Sequence, residues 1–543
     1  MKKASVLFLI MVMTLGACKE TEASREEAPR IVNYINFLRQ NDYRIELRQR
    51  DYRTNDDVTL LYEAAREEVA LAREYGIPAT FLLQYDALID PAYQKLMKEE
   101  LPEGCEVGAW WEITKPHYEA IGLEWPFEQV WYPYDVKDFG IGHTPQERCK
   151  LVDAYMEKFR EVFGYYPRSV GSWYIDSFTL GYMYDKYHIV ASCVCKEQVG
   201  TDGYTLWGGY WNQAFYPSRL NAHMPAQTVE GQIPVPVFRM LGSDPIYQYD
   251  AGSSTNGQFV HTMEPISTKT DRDWVGYYLD SFAGEPCLDY SYVQIGQENS
   301  FTWPRIKDGL IMQLQMIDSL RNEKNLKLWT LAQTGEWFKS KYSVTPPTAV
   351  TAMRDIRGEG HRTIWYDSRF YRVNLLWAED GFRVRDIHKF DERVRSQYMD
   401  EAATGTQLRY YTLPVMDGYH WSSETDAAGL YILLEDGTKA VFGEPEIDEG
   451  SNGRMTIRCS DRKGHPFTII LDEDSISIMS SARWSLLLSA PRSELLPFKG
   501  IDGRSVSASF QDFPYSVTVS KGSFRTCAPY GILPENGEVS IRF

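Results

Sequence analysis

From residue 30 to about 341, short apolar runs alternate with stretches of helical period. Residues 31–37 are apolar and β-branched enough for a first strand. In 58–75 apolar residues recur at Leu60, Leu61, Ala64, Ala65, Val69, Ala70 and Ala72 with charges between them, one face of a helix. Gly76-Ile77-Pro78 ends it. Residues 79–83 form a continuous apolar run, as a strand covered on both faces requires, and 106–111 form another. Thr144-Pro145-Gln146-Glu147 supplies a cap, a first-turn proline and the glutamate of a capping box, opening a helix that stops at Gly164. Strands at 169–175 and 189–195 flank a helix at 180–187. A strand at 290–295, a helix within 303–321 and a strand at 327–331 follow. The repeated strand–helix order predicts a parallel α/β barrel of about seven strands.

Between about 207 and 273 the periodicity fades into a stretch rich in Tyr, Trp, Pro, Gly and Asn, and a loop region this long in a compact domain is usually functional. Pro346-Pro347 marks a boundary, beyond which helical patterns largely vanish. Strands are expected at 370–377, 429–435, 439–442, 454–459, 467–471, 475–479 and 516–519. Turn signals such as Glu435-Asp436-Gly437 and Lys463-Gly464 separate them. Regularly spaced short strands predict a mostly antiparallel β-sandwich. The fold class is therefore α/β, a (β/α)7-type parallel barrel at 30–345 followed by a β-sandwich at 350–543.

The N-terminus changes the picture. Lys2-Lys3 precede an apolar run too short to span a bilayer but of signal-peptide length. The run closes on Leu15-Gly16-Ala17-Cys18, which resembles a bacterial lipobox. Residues 1–17 then read as a signal peptide and Cys18 as the lipidated first residue. Residues 18–29, with four Glu, read as a tether. The expected location is the cell envelope, on the outer membrane, touching lipid only through the anchor. The formal charge of −18, or −20 once Lys2 and Lys3 leave with the signal, opposes binding to nucleic acid. Seven scattered cysteines follow Cys18, an odd set that does not read as a disulfide framework.

Aromatic residues make up 14% of the chain, and Tyr and Trp offer the flat faces on which sugar rings stack. Active sites of parallel barrels sit at the C-terminal ends of the strands. There the sequence places Gln84-Tyr85-Asp86, Trp110-Trp111-Glu112, Trp173 with Asp176, Asp202 after the strand at 189–195, and Gln294 with Gln297-Glu298-Asn299. Carboxylates accompanied by aromatics and amides suit glycoside chemistry, in which one carboxylic acid protonates the leaving oxygen and a second carboxylate attacks or activates water. The expected catalytic pair is Glu112 and Glu298, with Asp176 or Asp202 as substitute. The expected sugar platform is Trp110, Trp111, Trp173, Trp207 and Trp211. Arg39, Asp86 and Gln294 complete the substrate contacts, with Arg39 touching substrate or orienting a carboxylate.

Three segments carry a family resemblance. Residues 75–83, Tyr-Gly-Ile-Pro-Ala-Thr-Phe-Leu-Leu, resemble the "G-(I/L)-x-A-T-F-F" strand of NodB-type polysaccharide deacetylases and family-fifty-seven glycoside hydrolases. Glu106-Val107-Gly108 falls where that superfamily has its "E-(I/V)-G-x-H" strand, and Tyr166-Pro167-Arg168-Ser169-Val170-Gly171, with Trp173 and Asp176, resembles a later segment. The layout as a whole is similar to a group of Bacteroidetes lipoproteins with such a barrel and a β domain. The resemblance implies the barrel, and for the deacetylases a divalent metal held by an Asp of a paired-Asp strand end and two His. This chain departs there. Its first strand ends Asn36-Phe37-Leu38-Arg39, and Ala109-Trp110-Trp111-Glu112 follows Gly108 where a metal histidine belongs, with only His117 nearby. Three converging ligands cannot be assembled, so no metal and no cofactor is expected. The favoured reading is a carbohydrate-active hydrolase acting on an oligo- or polysaccharide through paired carboxylates. The alternatives are a non-catalytic glycan-binding lipoprotein, a deacetylase with a degenerate metal site, and a structural envelope protein with aromatic cores.

Overall fold

The structure, a computed structural model, describes residues 28–41, 56–128, 136–195, 209–210, 213–240, 242, 244–250, 262–284, 287–404 and 412–543. Its first sheet is built from β1 (Arg30–Leu38), β2 (Ala79–Leu83), β3 (Glu106–Trp110), β4 (Ser169–Ser172), β5 (Ala191–Val194), β6 (Ala214–Phe215), β7 (Val237–Arg239), β8 (Ser291–Ile295) and β9 (Leu326–Leu328). The strands run in the order β6-β7-β5-β4-β3-β2-β1-β8, with β9 also on β1. Every pairing is parallel except β6 with β7. β1 is long enough to serve three neighbours: Arg30–Val32 pair with β9, Tyr34–Leu38 with β2, and β8 takes the other edge. Among the described residues no ladder joins β6 to β8. Instead the Ala214 amide donates to the Tyr290 hydroxyl at 3.1 Å, just ahead of β8. The sheet is a curled, mostly parallel half-barrel.

Alternation along the strands sets its two faces. On β1, Val32, Tyr34 and Leu38 pack outward under the helices, while Ile31, Ile35 and Phe37 fill the interior. The outer layer is held by helices that the sequence made legible. Asp56–Tyr75 is one, and Pro145–Phe163 is another, opened by the Thr144 and Glu147 capping box. Inside, Phe37 stacks on Trp110 with ring centroids 4.0 Å apart. The indole fits because β4 has no side chain beside it. A Cβ on Gly171 would lie 2.4 Å from Leu82 Cδ1, 2.8 Å from Cys193 Sγ and 2.9 Å from Trp110 Cε3.

Helix Leu331–Lys341 closes the end where the strands begin. Half-buried Glu106 accepts from Ser169 Oγ at 2.6 Å, from Thr80 Oγ1 at 3.2 Å and from the Ala332 amide at 2.9 Å, so one carboxylate ties β2, β4 and the helix N-terminus to β3. Asn33 donates to Thr334 Oγ1 at 2.7 Å and to the Trp329 carbonyl at 2.9 Å. Thr334 is a helix residue of this plug, and the strand expected at 327–331 stops at Leu328.

Beyond the prolines two antiparallel sheets pack face to face, joined by a core that includes Ile364, Val373 and Phe382 from one and Ile457, Phe467 and Ile469 from the other. The outer sheet has a solvent face: Met455–Ser460 alternates between buried and more exposed positions. The inner sheet has none. Tyr371–Ala378 is buried almost throughout, because the barrel covers its second face. Residues 439–442, expected to be a strand, form only isolated bridges. Strands Thr348–Ala352, Arg362–Asp367, Gly381–Lys389, Leu413–Asp417 and Trp484–Ser489 were not foreseen.

The described part of 207–273 explains much of that cover. Arg385 Nη1 donates to the Ile246 carbonyl at 2.7 Å and to Asp250 Oδ2 at 2.8 Å, and Arg383 Nη2 reaches Asp250 Oδ2 at 2.7 Å. Arg372 grips Asp386 with two bonds of 2.8 Å and donates to the Gly209 carbonyl at 2.7 Å. The aperiodic stretch is in these parts a docking strip between barrel and sandwich.

The close fit around Trp110 gives a direct check. Gly171→Ala is expected to cost about 1–3 kcal/mol of stability through overpacking, read by denaturant unfolding. A variant as stable as the parent would show that the indole yields freely.

Candidate active site

The C-terminal ends of β1, β2, β3 and β8 bring four predicted residues together. Arg39 follows β1 by one residue and points inward, its guanidinium carbon 5.2 Å from the centroid of the Phe37 ring. Its Nε donates to Glu112 Oε2 at 2.9 Å and its Nη2 to Glu112 Oε1 at 2.7 Å, a two-pronged grip on the residue two past β3. Its Nη1 donates to Glu298 Oε2 and, at 3.1 Å, to Ser300 Oγ. Gln84, after β2, donates to Glu112 Oε2 at 2.8 Å. The arginine backbone is pinned as well. Its amide donates to Asn299 Oδ1 at 2.8 Å, and its carbonyl accepts from Asn299 Nδ2 at 2.8 Å and from the Tyr93 hydroxyl at 3.0 Å.

Glu298 reaches this position through a turn that only glycine allows. Gly296 has φ 122°, and a Cβ there would sit 2.0 Å from the Ile35 carbonyl oxygen. The turn carries Gln297 past β1, where its amide donates to Asn36 Oδ1 at 3.1 Å.

Beside Glu112 lies Asp86, which accepts from the Thr114 hydroxyl and, at 3.2 Å, from Asn41 Nδ2. Burial pushes the Asp86 carboxyl up to about 6, against the pull of those hydrogen bonds, and the charge of Glu112 adds to the rise. Glu112 is also raised by burial, with Arg39 drawing it back. A further acid, Glu68 on helix Asp56–Tyr75, is fully buried, and among the described residues neither carboxyl oxygen has a hydrogen-bond partner. Burial first, and Glu298 second, hold it well above the carboxylate range. Sequence reasoning missed Glu68. Its signal was its spacing, since it continues the Leu61, Ala64, Ala65 and Ala72 stripe on the buried face of the helix.

The remaining expectations fall elsewhere. Trp110 and Trp111 are 0% and 1% exposed, so neither ring has a free face for a sugar, and both are corrected to interior packing. Trp173 is 7% exposed, its ring edge-on to Phe37 at 6.2 Å. Asp176 is corrected from catalysis to structure: it caps helix Ser177–Tyr187 through the Thr179 amide at 3.0 Å and takes Arg148 Nη1 at 2.6 Å. Gln294 is buried in the wall, donating to the Ile295 carbonyl at 2.7 Å. Asp202, Trp207, Trp211 and Cys18 lie outside the described residues. Glu112 and Glu298 themselves are 1% and 2% exposed, so the cluster is convergent and closed to solvent.

The divalent ion implied by the deacetylase resemblance does not fit here. Among the described residues no three His, Cys, Asp or Glu side chains are placed to hold a metal. His117 stacks on Tyr85 at 4.5 Å and binds the Leu151 carbonyl at 2.8 Å, and burial lowers its ring to about 4. Between Glu112 and Glu298 the positive charge is already a guanidinium, which has donors and no lone pair to offer.

No family model matches the chain, and no curated protein matches it in sequence. Among solved structures, a "putative glycoside hydrolase/deacetylase" from Parabacteroides distasonis is similar over 72% of this chain and 89% of its own, with a TM-score of 0.51 and 16% identity. The two chains share a fold over that length. A "putative polysaccharide deacetylase" from Mycobacterium smegmatis covers 58% of this chain and 92% of its own at a TM-score of 0.36 and 10% identity, too distant to add to that assignment.

The raised Asp86 has a measurable consequence. Below its unfolded value the carboxyl is neutral in both states, and the cost of burying its charge grows as pH rises through about 6. Asp86→Asn removes that cost. The variant is expected to match the parent at pH 4 and to exceed it at pH 8 by up to about 3 kcal/mol, read from thermal unfolding at both pH values. A variant less stable than the parent at pH 8 would mean that the carboxylate is required by the fold.

Proposed function

We propose that this chain is a carbohydrate-active hydrolase whose chemistry lies in the carboxyl cluster around Arg39. One observation carries the reading: Glu112 and Glu298 come from two strand ends to one guanidinium, and Asp86, at a third strand end, lies close enough to Glu112 for their charges to interact, more acid than a structural ion pair needs. A single positive charge cannot stabilise all of them as ions, so their proton affinities separate, and separated carboxyls are what glycoside cleavage uses. In this reading Asp86 is the proton donor, since its carboxyl holds a proton up to about pH 6. Glu298 is the second carboxylate, acting as nucleophile or base. Glu112, both oxygens of which are engaged by Arg39 and one also by Gln84, is a positioning residue. The substrate class is an oligo- or polysaccharide, supported by the barrel type. A lipid anchor at Cys18 would keep the enzyme on the cell envelope.

The complete burial of the three carboxyls favours a second reading, a glycan-binding protein that does not turn its ligand over. A glycan panel separates the two. Asp86→Asn and Glu298→Gln are each expected to lower turnover by about 10²–10⁴-fold. Parent activity should fall as pH rises through about 6, and that limb should vanish in Asp86→Asn. Undiminished turnover in both variants removes the cluster from the mechanism, and saturable glycan binding without product selects the second reading. Acetate release that a chelator abolishes would instead mark a deacetylase.

A further inference from the structure

We propose that Arg39 is a built-in substitute for a divalent cation, and that removing its side chain converts the barrel mouth into an oxygen-lined cation site. This stands apart from the hydrolase reading, because it concerns what neutralises the cluster rather than what the cluster does to a substrate.

The argument begins with position. Arg39 stands where β1 ends, on the strand whose end carries no Asp pair in this chain. A cationic group stands there, and the acids facing it come from two other strand ends. Glu112 offers both oxygens and Glu298 offers one, all three within hydrogen-bond reach of the guanidinium. Ser300 Oγ lies 3.1 Å from Nη1. Gln84, fully buried and bonded to Glu112 through its amide nitrogen, keeps its carbonyl oxygen without a partner among the described residues. Glu68 carries two more oxygens without a hydrogen-bond partner among the described residues, close enough to Glu298 for their charges to interact. These donors are all hard oxygen, the set suited to calcium, magnesium or manganese and ill suited to a thiolate- or imidazole-seeking metal.

The guanidinium does what such an ion would do. It holds carboxylates from separate strands at one point and cancels charge that burial would otherwise forbid. It does so without release, because Asn299 and Tyr93 fix its backbone from both sides. Cut back to alanine, the position leaves space bordered by Glu112, Glu298, Gln84 and Ser300, with nothing positive between the acids.

Equilibrium dialysis against Mn²⁺ and thermal unfolding with and without Mn²⁺ or Ca²⁺ test this on the full chain. The parent is expected to bind no stoichiometric cation and to keep its Tm. Arg39→Ala is expected to bind one Mn²⁺ per chain and to gain about 2–5 °C in Tm at saturating cation, and Arg39→Ala/Glu112→Gln to lose both effects. Arg39→Gln carries the same test if the alanine variant does not fold. Stoichiometric binding by the parent with Arg39 in place would overturn the proposal. So would folded Arg39 variants that take up no cation, binding that survives Glu112→Gln, or variants that the cation fails to rescue. No glycan enters the assay, so its outcome is independent of whether the mouth hydrolyses anything.

Discussion

The pairing of Arg39 with Glu112 and Glu298 is the constraint from which the barrel mouth follows. A buried ion loses several kcal/mol of hydration, recovered only when its partner is close and well oriented. Here the partners lie 73 and 259 residues away in the chain. β1, β3 and β8 must therefore end at the same height for any of the three charges to be tolerated. Asn299 and Tyr93 show how much of the local structure is committed to that alignment, since both hold the arginine backbone rather than its charge.

The opposite end of the sheet solves a similar problem differently. Glu106 is half-buried, and it meets two hydroxyls and a helix N-terminus instead of a cation. Every hydrogen bond it accepts is accounted for by packing needs. At the mouth the acids outnumber the cation, and Glu68 and Asp86 sit in the excess. Fully satisfied polar groups hold a fold together, whereas a surplus whose carboxyls burial pushes upward is costly, and such shifts gather where chemistry is done.

Much of the barrel was legible because its signals are local. The capping box at Thr144, the stripe on 58–75 and the apolar run at 79–83 each specify an element within a few residues. Arg39, Glu112 and Glu298 could be named from strand ends. Their contact could not, because it depends on curvature and register over the whole sheet. Trp110 and Trp111 misled for the same reason: an aromatic pair at a strand end reads as a platform until the glycine at 171 shows that the ring at 110 turns inward. Strand Gly381–Lys389 failed in another way. Arg383, Arg385 and Asp386 give it the polar half of an exposed strand, but that half is covered by the barrel.

That covered face ties the two halves of the molecule to a shared fate. Arg372, Arg383 and Arg385 belong to the sandwich, while the carbonyls and the Asp250 carboxylate they hold belong to the barrel. Each guanidinium also keeps a partner inside the sandwich, Asp386 for Arg372, the Ala428 carbonyl for Arg383 and Asn374 for Arg385, so the bonds across the prolines add to those within the β domain. Recombination that exchanged the sandwich for an unrelated module would take from the barrel both guanidinium groups that hold Asp250 and the donors to the Gly209 and Ile246 carbonyls.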